Sequence, residues 1–187
     1  MDGSDQAAVA RVRAGDEDAF RVLVERHTRR LFRLAYRMTG NEQDAEDVVQ
    51  ETFLRAYRQV GRFEARSSIG TWLYRIAANC AIDLMRQRPH RDVAPPAAQD
   101  DGEDDPPVSA APDPERLAAS AVLRHRVASA LDRLSAMERT AFVLRHFEGQ
   151  SIEEIGRALG ARTSATKHTI FRAVQKMRRA LEPLVQS

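Results

Sequence analysis

The sequence predicts an all-α fold, with two small helical domains joined by a flexible acidic linker. Apolar residues recur at helical spacing in both halves of the chain, without an alternating strand pattern or a fixed-period repeat. Between the halves, residues 92–113 contain five prolines, seven acidic side chains and no aromatic residue. Such a segment cannot bury enough apolar surface to offset the entropy lost on ordering. We therefore expect a domain at 1–91, a linker at 92–113 and a second domain at 114–187.

The N-terminal domain is predicted to contain three long helices, each with one apolar face. Their expected bounds are 18–38, 42–60 and 71–88. Gly40 ends the first helix and Asn41 caps the second, since glycine readily adopts the left-handed conformation and asparagine accepts hydrogen bonds from free helix N–H groups. Pro89 ends the third helix. Cys80 falls on the inward face of that helix, where we expect a small buried apolar residue.

The C-terminal domain is predicted to contain four helices, covering 116–134, 136–148, 152–159 and 164–181. Capping boxes at 135–138 and 151–154 mark two helix starts, because each pairs a serine with a glutamate three residues later. Gly160 supplies a turn, and Thr163 or Ser164 is expected to cap the last helix. A short helix, a turn and a longer helix are typical of a helix-turn-helix.

Charge indicates a polyanionic partner. The N-terminal domain carries 16 basic and 13 acidic side chains, and the C-terminal domain carries 13 and 7. Two basic bodies with an acidic linker favour nucleic acid, although 27 of the 29 basic residues are arginine, so an arginine-rich proteome is an alternative explanation. We expect a cytoplasmic protein without membrane insertion, because no apolar run approaches the ~20 residues of a bilayer span and the N-terminus lacks a secretion signal.

The last helix carries the strongest nucleic-acid pattern. Seven basic residues and no acidic residue lie between Ile155 and Leu181. Lys167, His168 and Arg172 lie opposite the apolar face, where a recognition helix would contact base edges and phosphates. A solvated basic helix of an ordinary bundle is the alternative.

Two further surfaces stand out in the N-terminal domain. Asp44, Asp47 and Glu51 form an acidic line on the second helix, which indicates either a protein partner or local pairing of Glu51 with Arg55. On the third helix, tryptophan, arginine and asparagine share the outer side and suit stacking on unpaired bases, whereas a core position is the alternative for the lone tryptophan. These outward residues are Trp72, Arg75, Asn79 and Arg86.

At this point two long segments resemble a known family. Residues 44–88 resemble region 2, and residues 131–181 resemble region 4, of bacterial RNA polymerase sigma factors of the extracytoplasmic-function group. The resemblance covers roughly 16–88 and 115–182 in the order found in that family. The region 2 string is highly specific, whereas many response regulators end in a helix-turn-helix similar to the region 4 string.

The resemblance implies partners and roles. Core RNA polymerase, through its β′ coiled coil and β flap, promoter DNA and an anti-sigma factor are the expected partners. Core polymerase would bind Asp47, Gln50, Glu51, Phe53 and Leu54. The −10 element, with one base flipped into the loop before the third helix, would be read by Phe63, Ser67, Ser68, Trp72, Arg75, Asn79 and Arg86. The −35 element would be read by Arg162, Ser164, Lys167, His168, Phe171, Arg172 and Lys176. The resemblance implies no catalytic residue, metal or cofactor.

Departures from the family pattern limit what carries over. Ser164-Ala165-Thr166 stands where the family commonly has a Gly-Thr-Val run, and Thr169 stands where arginine is frequent, so the base preference at −35 stays open. Two other functions compete with this one. A response-type regulator would leave the string at 44–54 unexplained, and an enzyme would need a catalytic set that the scattered histidines do not provide.

Overall fold

The protein is described by a computed structural model over residues 3–65, 67–87 and 114–182, without the side chains at 3–4 and 114–120. Every regular element within these ranges is helical, so the predicted fold class is confirmed. The predicted linker lies outside the described residues. The helices are α1 (Gly3–Arg13), α2 (Glu17–Thr39), α3 (Glu42–Gln59), α4 (Ile69–Gln87), α5 (Pro114–Asp132), α6 (Ala136–His146), α7 (Ile152–Leu159) and α8 (Thr163–Leu181), with a 3₁₀ turn at Val60–Arg62.

The break between α2 and α3 follows from local backbone chemistry, as predicted. Gly40 is left-handed, with φ at 71°, and its N–H donates to the carbonyl of Tyr36 at 2.8 Å. The side chain of Asn41 accepts from the N–H of Asp44 at 2.9 Å. These two bonds satisfy helix-end groups that would otherwise lack a partner, and they let two long helices turn back on each other.

Helix α1 was not among the predicted elements, because its apolar residues form no continuous stripe. Tertiary contacts hold it in place instead. Ala8 and Val9 are buried, and the carboxylate of Asp5 lies 3.1 Å from both Arg26 Nη1 and His27 Nε2 on α2. The N-terminal body is therefore a four-helix arrangement, in which α2, α3 and α4 surround a core of large apolar side chains. Its largest fully buried side chains are Leu23, Leu31, Leu34, Met38, Val48 and Leu73.

In the C-terminal body, both predicted capping boxes are confirmed. Ser135 with Glu138, and Ser151 with Glu154, make the two reciprocal bonds that define the motif. The predicted cap of the last helix was wrong. Helix α8 begins at Thr163, and the residue before it, Arg162, makes no side-chain cap bond. Thr163 is already helical and therefore lies too far along the chain to cap.

The two bodies pack directly against each other. Helix α7 contacts α4, and α6 contacts α2 and α4, so one apolar core continues across the boundary. Leu144 of α6 and Ile155 of α7 are 1% and 0% exposed in this interface. The Arg139 guanidinium of α6 donates to the carbonyl of Met38 on α2 at 2.7 Å and also binds Asp132. The sequence predicts two separate domains, and no local pattern in it indicates this interface.

Candidate functional site

Helix α3 presents an exposed face of polar and apolar side chains. Asp47, Gln50 and Leu54 are exposed and spaced i, i+3, i+7, so they form one line along the helix. Leu54 is 53% exposed and places an apolar spot between polar neighbours. Glu51, beside this line, accepts a hydrogen bond from Arg55 Nε at 2.6 Å. The outer side of α3 therefore combines a carboxylate that is paired with Arg55 and an exposed row of polar and apolar side chains.

Phe53 lies on the inner side of α3. It is 9% exposed and contacts Phe20 edge to face, with ring centroids 6.3 Å apart. In this conformation its ring supports the orientation of the helix and does not reach the outer surface. Cys80 is also buried, as predicted, and burial raises the pKa of its thiol.

Helix α4 directs three polar side chains outward along one line. Arg75, Asn79 and Arg86 are exposed, as predicted. Trp72 is half-buried, and its ring lies 5.3 Å from the ring of Phe63, which is 6% exposed. Trp72 thus has both a packed side and an accessible side, whereas Phe63 acts as the buried support beneath it.

The loop before α4 is shaped by its own hydrogen bonds. Ser68 caps the helix, since its Oγ accepts from the N–H of Thr71 at 3.1 Å and lies 2.9 Å from the Thr71 hydroxyl. Ala65 has a φ of 54°, in the left-handed region that L residues rarely adopt. Ser67 lies at the mouth of a cleft between the bodies, together with Trp72 and Arg75 of α4. The opposite wall of that cleft comes from α7.

The turn between α7 and α8 has the close approach that a helix-turn-helix needs. Gly160 is left-handed, with φ at 62°. A Cβ placed on Gly156 would lie 2.9 Å from the carbonyl oxygen of Ala161 and 3.1 Å from Oγ1 of Thr166. Thr166 is fully buried and bonds back to the carbonyl of Arg162 at 3.1 Å. Glycine at position 156 therefore lets α7 meet the start of α8.

Gly156→Ala is expected to lower the free energy of unfolding by about 1–3 kcal/mol, because the added methyl meets backbone that has to shift. Thermal unfolding followed by circular dichroism measures the change. The control is Ala161→Ser, in the adjoining turn. Ala165→Gly would not be suitable, because it also changes helix propensity. An unchanged melting temperature for Gly156→Ala would contradict the tight turn.

Helix α8 presents its predicted polar face to solvent. The exposed members of this face are Arg162, Ser164, Lys167, His168, Phe171, Arg172 and Lys176. Phe171 has an exposed fraction of 60%, the largest value among the exposed large apolar residues of the described chain. The opposite side of the helix is anchored by Ala173 and Met177, which are buried. The structure thus brings together all the residues that the sequence assigned to this surface.

Sequence reasoning missed one residue that organises this face. Glu138 of α6 has a side chain only 3% exposed, and it lies 2.7 Å from Lys176 Nζ and 3.7 Å from Arg172 Nε. Burial would raise the pKa of Glu138, but hydrogen bonds from Lys176 and Ser135 outweigh it and lower the pKa. The capping box predicts that Glu138 caps a helix. Its contact with Lys176 of α8, 38 residues later in the chain, could not be predicted, because no local sequence pattern indicates it.

Groups that could hold a metal ion are absent from the described residues, and none of the described helices could cross a membrane.

Family models match both bodies: sigma-70 region 2 over residues 23–91 and sigma-70 region 4 over residues 124–177. The RNA polymerase sigma-H factor of Pseudomonas aeruginosa is 35% identical over 97% of this chain and 96% of its own length. The ECF RNA polymerase sigma-E factor of Escherichia coli K12 is 34% identical, covering 98% and 97%.

Solved structures give the same picture. The structure of CnrH in complex with the cytosolic domain of CnrY matches with a TM-score of 0.68 at 28% identity, over 97% of this chain and 99% of that one. The sigma factor RpoE of Bartonella quintana, crystallised with the anti-sigma factor NepR, matches with a TM-score of 0.65. Its sequence identity is 22%, over 87% of this chain and 96% of that one, so this likeness concerns the fold alone.

Proposed function

This chain belongs to the extracytoplasmic-function group of RNA polymerase sigma factors, and from that membership we propose how it selects promoters. As a sigma factor it directs promoter-specific transcription initiation with RNA polymerase. The family is in general regulatory and not enzymatic. We expect the protein in the cytoplasm, where polymerase and promoter DNA are found.

Helix α3 is our proposed contact with core polymerase, at the β′ coiled coil. The observation that carries it is the line of three exposed side chains, Asp47, Gln50 and Leu54, along one face of the helix. An apolar side chain between polar neighbours suits the centre of a protein interface. Glu51 would add charge at its edge, and Phe53 would hold the helix in place from inside.

Helix α4 and the loop before it are our proposed reader of the −10 element. Arg75, Asn79 and Arg86 would contact the backbone and base edges, and the accessible side of Trp72 would stack on a base. Ser67 lies on the loop before α4, which would form the pocket for a flipped base. Ser68 and Phe63 would fix the shape of this loop, because both are already engaged within the domain.

Helix α8 is our proposed reader of the −35 element in the major groove. Lys167, His168 and Arg172 would reach base edges, and the other exposed cations would contact phosphates. Lys176 would do so only in competition with Glu138, which it binds at 2.7 Å. Region 4 would also contact the β flap. An anti-sigma factor is a further proposed partner, supported by the sigma factor–partner complexes among the similar structures.

Run-off transcription with core polymerase on a library of promoter templates tests this proposal. Purified protein and core enzyme together should give promoter-specific transcripts that neither gives alone. A response-type regulator would instead bind its operator without polymerase. Complete absence of a promoter-specific transcript from every template would refute the proposed function.

Lys167→Ala and Arg172→Ala are each expected to weaken −35 recognition by about 1–3 kcal/mol, or about 5- to 150-fold in affinity. Each loses a cation from the exposed face of α8. Arg145→Ala is the control, since Arg145 is an exposed cation on α6. Electrophoretic mobility shift with the holoenzyme measures the change, and wild-type affinity for both variants would mean that another face reads the DNA.

A further inference from the structure

A row of arginines on α2 has no part in the surfaces described above. Arg30, Arg33 and Arg37 are spaced i, i+3, i+7, so they share one side of the helix. Arg30 is exposed and the other two are half-buried. Neither Arg30 nor Arg33 has a carboxylate partner among the described residues. Three guanidinium groups on one side of a helix repel one another unless an anion lies nearby.

The C-terminal body supplies that anion in this conformation. Glu148, in the turn between α6 and α7, lies 3.4 Å from Arg37 Nη1, and its side chain is 11% exposed. The Arg37 guanidinium also lies 4.6 Å from the ring centroid of Phe147. Arg37 therefore contacts both a carboxylate and an aromatic ring from the turn between α6 and α7.

Tyr74 of α4 lies at the same place. Burial and the neighbouring Glu148 carboxylate raise the pKa of Tyr74 to about 12, and the charges of Arg30 and Arg33 oppose that rise. One hydroxyl is thus within electrostatic reach of two arginines of the row and of the carboxylate from the other body. The arginine row, Tyr74 and Glu148 thus form one cluster, to which the C-terminal body contributes Glu148.

Promoter reading requires this arrangement to open. The −10 and −35 elements lie roughly 25 base pairs apart, which is about 85 Å of duplex. In the closed arrangement α7 is packed on α4, so the helix-turn-helix and the −10 surface cannot both reach their elements. Separation of the bodies takes Glu148 away from the arginine row, and the promoter is then the nearest polyanion.

We infer that the α2 arginine row, with Tyr74 beside it, binds the phosphate backbone of the melted promoter strand, and that Glu148 occupies this site until the two bodies separate. The inference rests on the proposed function. Guanidinium groups bind carboxylate and phosphate with the same bidentate geometry, so either anion fits the row. Tyr74 lies on the same helix as Trp72 and Arg75, so a single strand can extend from the −10 surface onto the row.

Binding of fluorescein-labelled single-stranded oligo(dT) to the full-length chain, followed by anisotropy across a salt series, tests this inference. Oligo(dT) is suitable because backbone contacts are independent of sequence. Glu148→Gln is expected to bind about fivefold more tightly, since it removes the competing charge and keeps the shape. Arg30→Gln/Arg33→Gln in the Glu148→Gln background should bind more weakly and lower the slope of log affinity against log salt by about 1.4, the value for two lost phosphate contacts.

Arg21→Gln is the matched control. Arg21 is on the same helix, nine residues from Arg30 and therefore about 180° around it, and its side chain is 75% exposed. Equal affinity and salt slope for the single variants Arg30→Gln and Arg21→Gln, both folded and both in the Glu148→Gln background, would overturn the phosphate site. An unchanged affinity in Glu148→Gln would overturn the masking.

Run-off transcription by the wild-type chain separates this inference from its premise. Promoter-specific transcripts together with a negative oligonucleotide result would refute the arginine site and leave the proposed function intact. Loss of all promoter-specific transcripts from the wild-type chain would overturn both.

Discussion

Leu54→Glu is expected to weaken binding to core RNA polymerase at least about thirtyfold and to leave the fold intact. Truncating a central interface residue typically costs 2 kcal/mol or more, and a buried unpaired carboxylate adds to that loss. Folding should tolerate the change, because Leu54 is 53% exposed and its substitution removes no core contact.

Comigration with core polymerase on a sizing column, followed by titration, measures the loss. Gln59→Glu is the matched control, since it adds the same charge to the same helix about 140° away from position 54. Both variants should keep the wild-type melting temperature within about 2 °C. Equal polymerase affinity for Leu54→Glu and wild type would move the polymerase contact away from this face.

Local chemistry explains why much of the fold was predictable. The break at Gly40 and Asn41 and the two capping boxes depend on residues within four positions of each other, so the sequence displays them directly. The outward faces of α3, α4 and α8 follow from helical periodicity in the same way. The residues assigned to polymerase and DNA accordingly lie mostly on exposed faces, with Phe53 and Phe63 as buried supports.

Features held by distant contacts were not predictable. Helix α1 has no apolar stripe and depends on α2, to which Asp5 is hydrogen-bonded. Ala78 and Ile82 lie on α4 away from the residues predicted to face inward, and they are buried in a helix that contacts α6 and α7 of the C-terminal body. The sequence does indicate that α4 is apolar on more than one face. Periodicity alone, however, does not show which element covers the second face.

Arg139 makes a contact between the two bodies that we expect to be costly to remove. Arg139 has a side chain 8% exposed, and it binds both Asp132 within its own body and the carbonyl of Met38 near the end of α2. That carbonyl is among the last four of the helix, which lack a partner within the helix. Arg139 therefore satisfies a free helix end and a carboxylate at the same time, while its own buried Nε has no partner in the described chain.

Arg139→Met is accordingly expected to lower the free energy of unfolding by about 3–5 kcal/mol, because it breaks the ion pair with Asp132 and removes the buried donor to the carbonyl of Met38. For a chain of this length the melting temperature should fall by about 6–20 °C. Arg133→Met, at an exposed arginine six positions away, should stay within about 0.5 kcal/mol of wild type. The double variant Arg139→Met/Asp132→Asn should recover part of the loss, since it removes the charge that Arg139 neutralises. Full stability in Arg139→Met, measured by calorimetry, would show that the apolar interface around Leu144 and Ile155 holds the bodies together without this arginine.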